Sequence, residues 1–195
     1  MNLLATKTRY TPEDLLAIPD SDRFELVDGK LVERDMGSES SWVAGELFFR
    51  LRAFCGEWKL GWVWPADNGY QCFPGSPNTV RKPDVSFISL GRLPGERPSE
   101  GWEQIPPDLA VEVLSPNELA SKINRKVQEY RRANVRLVWI IDPDTRTARI
   151  HRPDRSATDL EVDDELTGED VLPGFRCLLR ELFPAPRRTP EEHQA

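Results

Sequence analysis

The residues best suited to chemistry in this sequence are carboxylates and lysines. Glu112 lies in Asp108-Leu-Ala-Val-Glu-Val-Leu-Ser-Pro, a carboxylate inside a nearly continuous apolar run. Strand alternation sets Leu109, Val111 and Val113 on one face and Asp108, Ala110, Glu112 and Leu114 on the other. An unpaired buried carboxylate is costly, so Glu112 needs a metal, an Arg or a Lys beside it. An edge strand or a structural ion pair is the plainer alternative. Asp84 opens a second strand directly after a proline, in Arg81-Lys-Pro-Asp-Val-Ser-Phe-Ile. Alone, Pro-Asp would mark only a turn. On a neighbouring strand, about 4.8 Å from that of Glu112, Asp84 would share one pocket with it. A divalent cation relieves the repulsion of two such acids, and hard oxygen ligands suit Mg2+ or Mn2+.

Lys126 supplies a third group through path lengths. Glu112 to Pro116 is four strand steps, roughly 13 Å. Asn117 to Lys126 is nine helical steps, also roughly 13 Å. A helix doubling back over its strand therefore brings Lys126 level with Glu112. The stripe Leu119, Ile123, Val127 and Tyr130 is expected to pack on the sheet, with Lys126 at its border and able to bury its stem. Lys122, one turn earlier, competes for the role, and a solvated helix charge is the bland alternative. Two acids with a metal and a lysine form a kit for phosphodiester hydrolysis. The metal polarises the phosphate and activates a water, and the lysine steadies that water or the developing charge.

The elements that must hold these groups can be read along the chain. Tyr10-Thr-Pro-Glu-Asp-Leu-Leu predicts a short helix capped by Thr11, with Asp14 as the capping-box acid. Arg23 to Arg34 predicts a hairpin turning at Asp28-Gly29. Ser41 to Trp58 has apolar residues at helical spacing. Trp62–Phe73, Val80–Ser89, Leu109–Leu114, Val135–Ile141 and Thr147–Arg152 predict strands, and Asn117–Ala133 a helix. Ser115 or Asn117 would cap that helix. A βαβ unit from Leu109 to Ile141 implies a parallel pair, and the upstream hairpins imply antiparallel ones. The expected architecture is α/β, a mixed central sheet flanked by helices. One domain is expected over residues 1–183, with a disordered tail over 184–195.

Bulk properties narrow the chemistry further. The 195 residues suit one sizeable domain. No apolar run approaches the roughly 20 residues that span a bilayer, and no secretory signal is evident, so a cytoplasmic location is expected. Three widely spaced cysteines, Cys55, Cys72 and Cys177, make neither a disulfide framework nor a zinc site. Two histidines, His151 and His193, leave a histidine-centred triad resting on His151 alone. A net charge of −7 weighs against tight nucleic-acid binding by the whole surface, although Asn117 to Arg136 is locally basic. Trp62, Trp64 and Trp139 sit at strand positions and are expected in the core.

The residues above resemble the Uma family of putative restriction endonucleases, within the PD-(D/E)xK nuclease superfamily. The matching blocks are the Tyr10-Thr11 start, Glu25-Leu-Val-Asp-Gly, Arg81-Lys-Pro-Asp-Val, Pro107-Asp-Leu-Ala-Val-Glu-Val-Leu-Ser-Pro, Lys126-Val-Gln-Glu-Tyr and Val138-Trp-Ile-Ile-Asp-Pro. Each block is short, and their order and spacing carry the specificity, from about Tyr10 to Phe183. The resemblance implies a restriction-endonuclease-like fold, DNA as substrate and Mg2+ held by Asp84, Glu112 and the backbone carbonyl of Val113. It places Lys126 as the active-site lysine, moved from the usual E-x-K position, which is Leu114 here. Glu25 matches a family acid in the first hairpin, as an outer or second-metal ligand or as the partner of a nearby base.

Three positions depart from the family pattern. Ser40-Ser41-Trp42 stands where many members have a histidine, Lys122 where many have an acid, and Asn134-Val135 where many have Gly-Val. The expected function is a metal-dependent endodeoxyribonuclease. The alternative is a nuclease-fold module without robust catalysis that binds nucleic acid or aids assembly. A hydrophobic patch on the first hairpin would support a homodimer, which cutting two strands favours.

Overall fold

The computed structural model describes residues 7–35, 37–116 and 118–185. The tail expected over 184–195 lies, from residue 186 onward, outside the described residues, as does Asn117 with its expected cap. Thr11 caps helix α1 (Pro12–Ala17) through a reciprocal capping box, its hydroxyl accepting from the Asp14 amide while the Asp14 carboxylate accepts from the Thr11 amide. Strands β1 (Phe24–Val27) and β2 (Lys30–Glu33) pair antiparallel. Their turn puts Asp28 and Gly29 at φ of 49° and 79°, the two left-handed positions of a type I′ hairpin.

Helix α2 (Ser38–Trp58) buries Val43, Leu47, Leu51 and Cys55, one residue per turn along a single stripe. That stripe covers one face of a six-stranded sheet. The sheet order is β3 (Gly61–Pro65), β4 (Val85–Ser89), β5 (Leu109–Val113), β6 (Leu137–Asp142), β7 (Thr147–His151) and β8 (Ala157–Leu160). Only β5 and β6 run parallel, joined by helix α3 (Ala120–Arg132), so the mixed sheet and the βαβ unit are both present. A separate two-stranded sheet joins β9 (Glu165–Thr167) to β10 (Arg176–Leu178), neither of which the sequence pattern announced.

Period-two alternation divides the core. Leu109, Val111 and Val113 pack with the α2 stripe, together with Leu137, Trp139 and Ile141. Ala110, Val138 and Ile140 face the other way and pack under Ile123, Val127 and Tyr130 of α3. Leu119 departs from the expected stripe: α3 begins one residue later, and Leu119 stands 60% exposed just outside the first turn. The strand expected over Trp62–Phe73 ends at Pro65, whose ring removes a ladder donor. Beyond it, Tyr70 makes only isolated bridges, to Arg81 and Glu103. Trp139 is fully buried, whereas Trp62 and Trp64 are half-buried and stack on each other at 6.1 Å.

The first hairpin is not an open patch. Leu26 packs with Leu15, Val80 and Trp102, and Phe24 and Leu31 lean on the same cluster. The large apolar side chains left open include Trp42, Phe49 and Trp58, all on α2. No helix among the described residues is long and apolar enough to cross a membrane.

Candidate active site

Two pairings bring the acids together. Val85 opposes Val111 across β4 and β5, so Asp84, just before Val85, and Glu112, just after Val111, stand at adjoining ends of neighbouring strands. The Asp84 amide donates to the Val111 carbonyl (2.8 Å), and its carboxylate Oδ2 accepts from the Val113 amide (2.7 Å). The second pairing is a backbone bridge between Leu26 of β1 and Val80. It sets Glu25 beside the Arg81–Asp84 segment, where Glu25 Oε1 accepts from the Lys82 amide (2.8 Å).

Helix α3 then supplies the base. Lys126 Nζ lies 2.6 Å from Glu112 Oε2, and the Tyr130 hydroxyl donates to Glu112 Oε1 at 2.6 Å. Lys126 and Tyr130 are four residues apart and so share a helix face over β5. The path-length argument thus agrees with the geometry, even though α3 starts at Ala120 rather than Asn117. Lys122 also lines the cleft but pairs with Asp35 (2.8 Å) rather than with Glu112, and its side chain is 43% exposed. Glu118, from the segment before α3, approaches Lys126 at 3.7 Å. A second carboxylate therefore stands near the lysine, from outside the helix.

Asp84, Glu112, Lys126, Glu25 and Val113 all line one cleft of about 220 Å³. Glu112 is 3% exposed. Burial pushes its carboxyl above the usual range; Lys126 pulls it back, and Asp84 and Glu25 push it up again. Asp84 is also raised, by burial first, against the pull of the Val113 amide, Arg34 and Lys126. Burial opposes the charge on Lys126, but Glu112, Glu25 and Glu118 outweigh it and hold the ammonium protonated. Tyr130, buried against Glu112, stays a neutral phenol and hence a donor.

Glu25 behaves differently. Its Oε2 accepts from Arg81 Nη1 (2.8 Å), and Arg81 Nε donates to Glu129 (2.7 Å). Of the roles left open by the sequence, the one visible here is partner of a base. Among the described residues no three His, Cys, Asp or Glu side chains converge as a metal cage. The raised pair Asp84 and Glu112 remains, an oxygen-only donor set with surplus negative charge. That set fits a hard cation such as Mg2+, which takes one or two carboxylates and keeps several waters.

Sequence reasoning treated Tyr130 as core and passed over Arg34, Arg81 and Glu118. Tyr130 and Arg81 carried signals, the first at i+4 from Lys126 and the second inside the Pro-Asp block. Arg34 carried none: its Nη2 reaches Asp84 Oδ1 at 2.9 Å from 50 residues away in sequence.

No curated protein shows a significant match to the chain. A solved structure, described as a putative nuclease of the DUF820 family from Anabaena variabilis, is similar with a TM-score of 0.74 at 20% sequence identity. The likeness covers 89% of this chain and 97% of that one, and it shows the shared α/β fold. The family model Uma2, described as putative restriction endonuclease, matches residues 12–180. That span holds the hairpin, the whole central sheet and every residue of the acidic cleft, and the chain belongs to the Uma2 family, whose fold is nuclease-like.

Proposed function

We propose that this protein is a divalent-metal-dependent endonuclease that hydrolyses DNA phosphodiester bonds in the cleft of Asp84, Glu112 and Lys126. The observation that carries this reading is the placement of two raised carboxylates at adjoining strand ends with an ammonium 2.6 Å from one of them. When bound by Asp84, Glu112 and the Val113 carbonyl, Mg2+ or Mn2+ would polarise the phosphate and lower the pKa of an attacking water.

The chain's own residues do the rest. Tyr130 holds one oxygen of Glu112 and so fixes the plane of that carboxylate. Lys126 stays charged, and its stem is anchored in α3, so it can face a phosphate oxygen as negative charge builds there. Lys122 and Arg125 line the same cleft and offer cations to flanking backbone phosphates. In this reading the protein works in the cytoplasm as a homodimer, one cleft for each strand.

A second reading is a nuclease-fold module that binds nucleic acid or aids assembly without robust cleavage. One observation favours it: Arg34 and Lys126 already pair with the two acids. Plasmid nicking in Mg2+ or Mn2+ separates the two. The endonuclease reading expects wild type to nick, Glu112→Ala to fall to background, and Lys126→Met to lose about 10²–10³ in rate. Equal background cleavage by wild type and Glu112→Ala would leave the second reading standing.

A further inference from the structure

Arg34 sits where the acidic cleft meets its neighbour. Its amide donates to the Arg23 carbonyl (2.9 Å), which fixes the backbone just beyond β2. Its side chain, 17% exposed, then crosses to the sheet. Nη2 donates to Asp84 Oδ1 at 2.9 Å, while Nη1 reaches the carbonyls of Ala66 (3.1 Å) and Asp22 (3.4 Å). Arg34 and Asp84 line both the acidic cleft and a second cleft of about 330 Å³ at the start of α2. The guanidinium is therefore part of the wall between them.

The charges around the acidic cleft nearly balance without a metal. Glu25, Glu112, Asp84 and Glu118 are the acids at its floor; Arg81, Lys126 and Arg34 are the bases paired to them. Arg81 is tied to Glu25 and Glu129 and is only 5% exposed, so it is not free to move. Lys126 is claimed by Glu112 and Glu118. Arg34 is the base with a single carboxylate partner, held through Nη2, while Nη1 holds backbone carbonyls. Releasing Asp84 breaks one hydrogen bond and leaves that anchor in place. The second cleft also offers room and charge for a displaced guanidinium. It is lined by the small residues Gly37, Ser40 and Ala44 and by the carboxylates of Asp22 and Asp67.

We propose that Arg34 is a resident counter-ion of the acidic site that competes with the divalent cation for Asp84, so that metal binds only as Arg34 gives up that carboxylate. The inference rests on the metal-dependent reading of the cleft and adds a positioning residue to it. Arg34 holds Asp84 in place while the metal is absent, and it lowers the apparent affinity for the metal. A purely structural Arg34 would do the reverse: removing it would loosen the site and weaken metal binding together with stability.

The test is Mn2+ binding by the full chain, measured by calorimetry and by the electron paramagnetic resonance of free Mn2+, beside thermal melts with and without Mn2+. Arg34→Gln is expected to bind Mn2+ about tenfold or more tightly than wild type, as loss of a charge-assisted competitor implies. Its melting temperature without metal should be equal to or below that of wild type, and its rise on adding Mn2+ should be larger. Arg34→Lys, which keeps the charge and guards against a misfolded Gln variant, should fall between the two. Adding Asp84→Asn to Arg34→Gln should erase the gain. If wild type binds Mn2+ and Arg34→Gln binds equally or more weakly, the competition is overturned while the metal site stands. If neither binds Mn2+, the metal-dependent reading itself falls, and this inference with it.

Discussion

Glu25 and Glu112 are the same residue type at the same depth, each 3% exposed, and their environments drive them in opposite directions. At Glu25, burial pushes the carboxyl up, but the charges of Lys126 and Arg81 outweigh it and, with the Lys82 amide, hold it at about 2. At Glu112, burial and the neighbouring acids Asp84 and Glu25 win over Lys126, and the carboxyl sits above its ordinary value. The difference lies in the supply of cation. Glu25 draws on Lys126, on the buried guanidinium of Arg81, which it shares with Glu129, and on the Lys82 amide. Glu112 shares one ammonium with Glu25 and Glu118 and has Asp84 beside it. Depth alone therefore does not set the charge state of an acid in this fold; the supply of cations beside it does.

The largest expected effect tests the structural half of that contrast. Glu25→Gln would leave Arg81, 5% exposed, with Glu129 as its remaining carboxylate. Breaking one arm of a buried ion pair should lower stability by about 3 kcal/mol near neutral pH, read by urea unfolding. The pH dependence has a definite sign. The folded-state pKa of Glu25 is depressed from 4.5 to about 2, so its contribution is fully present above about pH 4.5 and drains away as pH falls toward 2. The variant should lose that acid limb. An unchanged limb would mean that Glu25 is not the paired acid of the two, and the contrast would collapse.

How much of this was legible in sequence depends on the range of the interaction. Thr11 with Asp14 and Asp28 with Gly29 are local and can be read directly. The two faces of β5 followed from a period of two, which is why Glu112 could be set apart from Val111 and Val113. Lys126 needs two path lengths and a helix that doubles back over its strand, still regular geometry. Leu119 and the segment after Pro65 were misread because periodicity continues in sequence past the point where capping or a missing donor ends the element. Arg34 was invisible. A long side chain that leaves a hairpin to reach an acid 50 residues on follows no period, and only the docking of β1 on Val80 determines where it lands.

A smaller effect sharpens the other half. Tyr130 is fully buried and gives Glu112 its second hydrogen bond. Tyr130→Phe keeps the ring in the core and deletes only the donor. A bond to a charged group is worth about 2 kcal/mol, so cleavage should fall about tenfold or somewhat more, with a stability loss below that of Glu25→Gln. Single-turnover nicking at saturating Mn2+ reads this effect apart from binding. Unchanged turnover would show that Lys126 alone orients Glu112.

The smallest effect is the most discriminating, because its sign opposes that at Glu25. Asp84 is raised by burial despite the Val113 amide and Arg34. A carboxyl raised in the folded state binds protons there that the unfolded chain has released. Its contribution to stability therefore declines as pH rises from the ordinary aspartate value of 3.8 through the raised value, and is level above it. Asp84→Asn removes that decline. Without metal it should leave stability at neutral pH within about 1 kcal/mol of wild type, or slightly higher. Melts between about pH 4 and about pH 8, in chelator, check this against the Glu25→Gln series. A loss as large as that of Glu25→Gln would make Asp84 and Arg34 a structural pair like Glu25 and Arg81. The cleft would then hold only one acid with charge to spare, the fewest carboxylates with which Mg2+ is usually held.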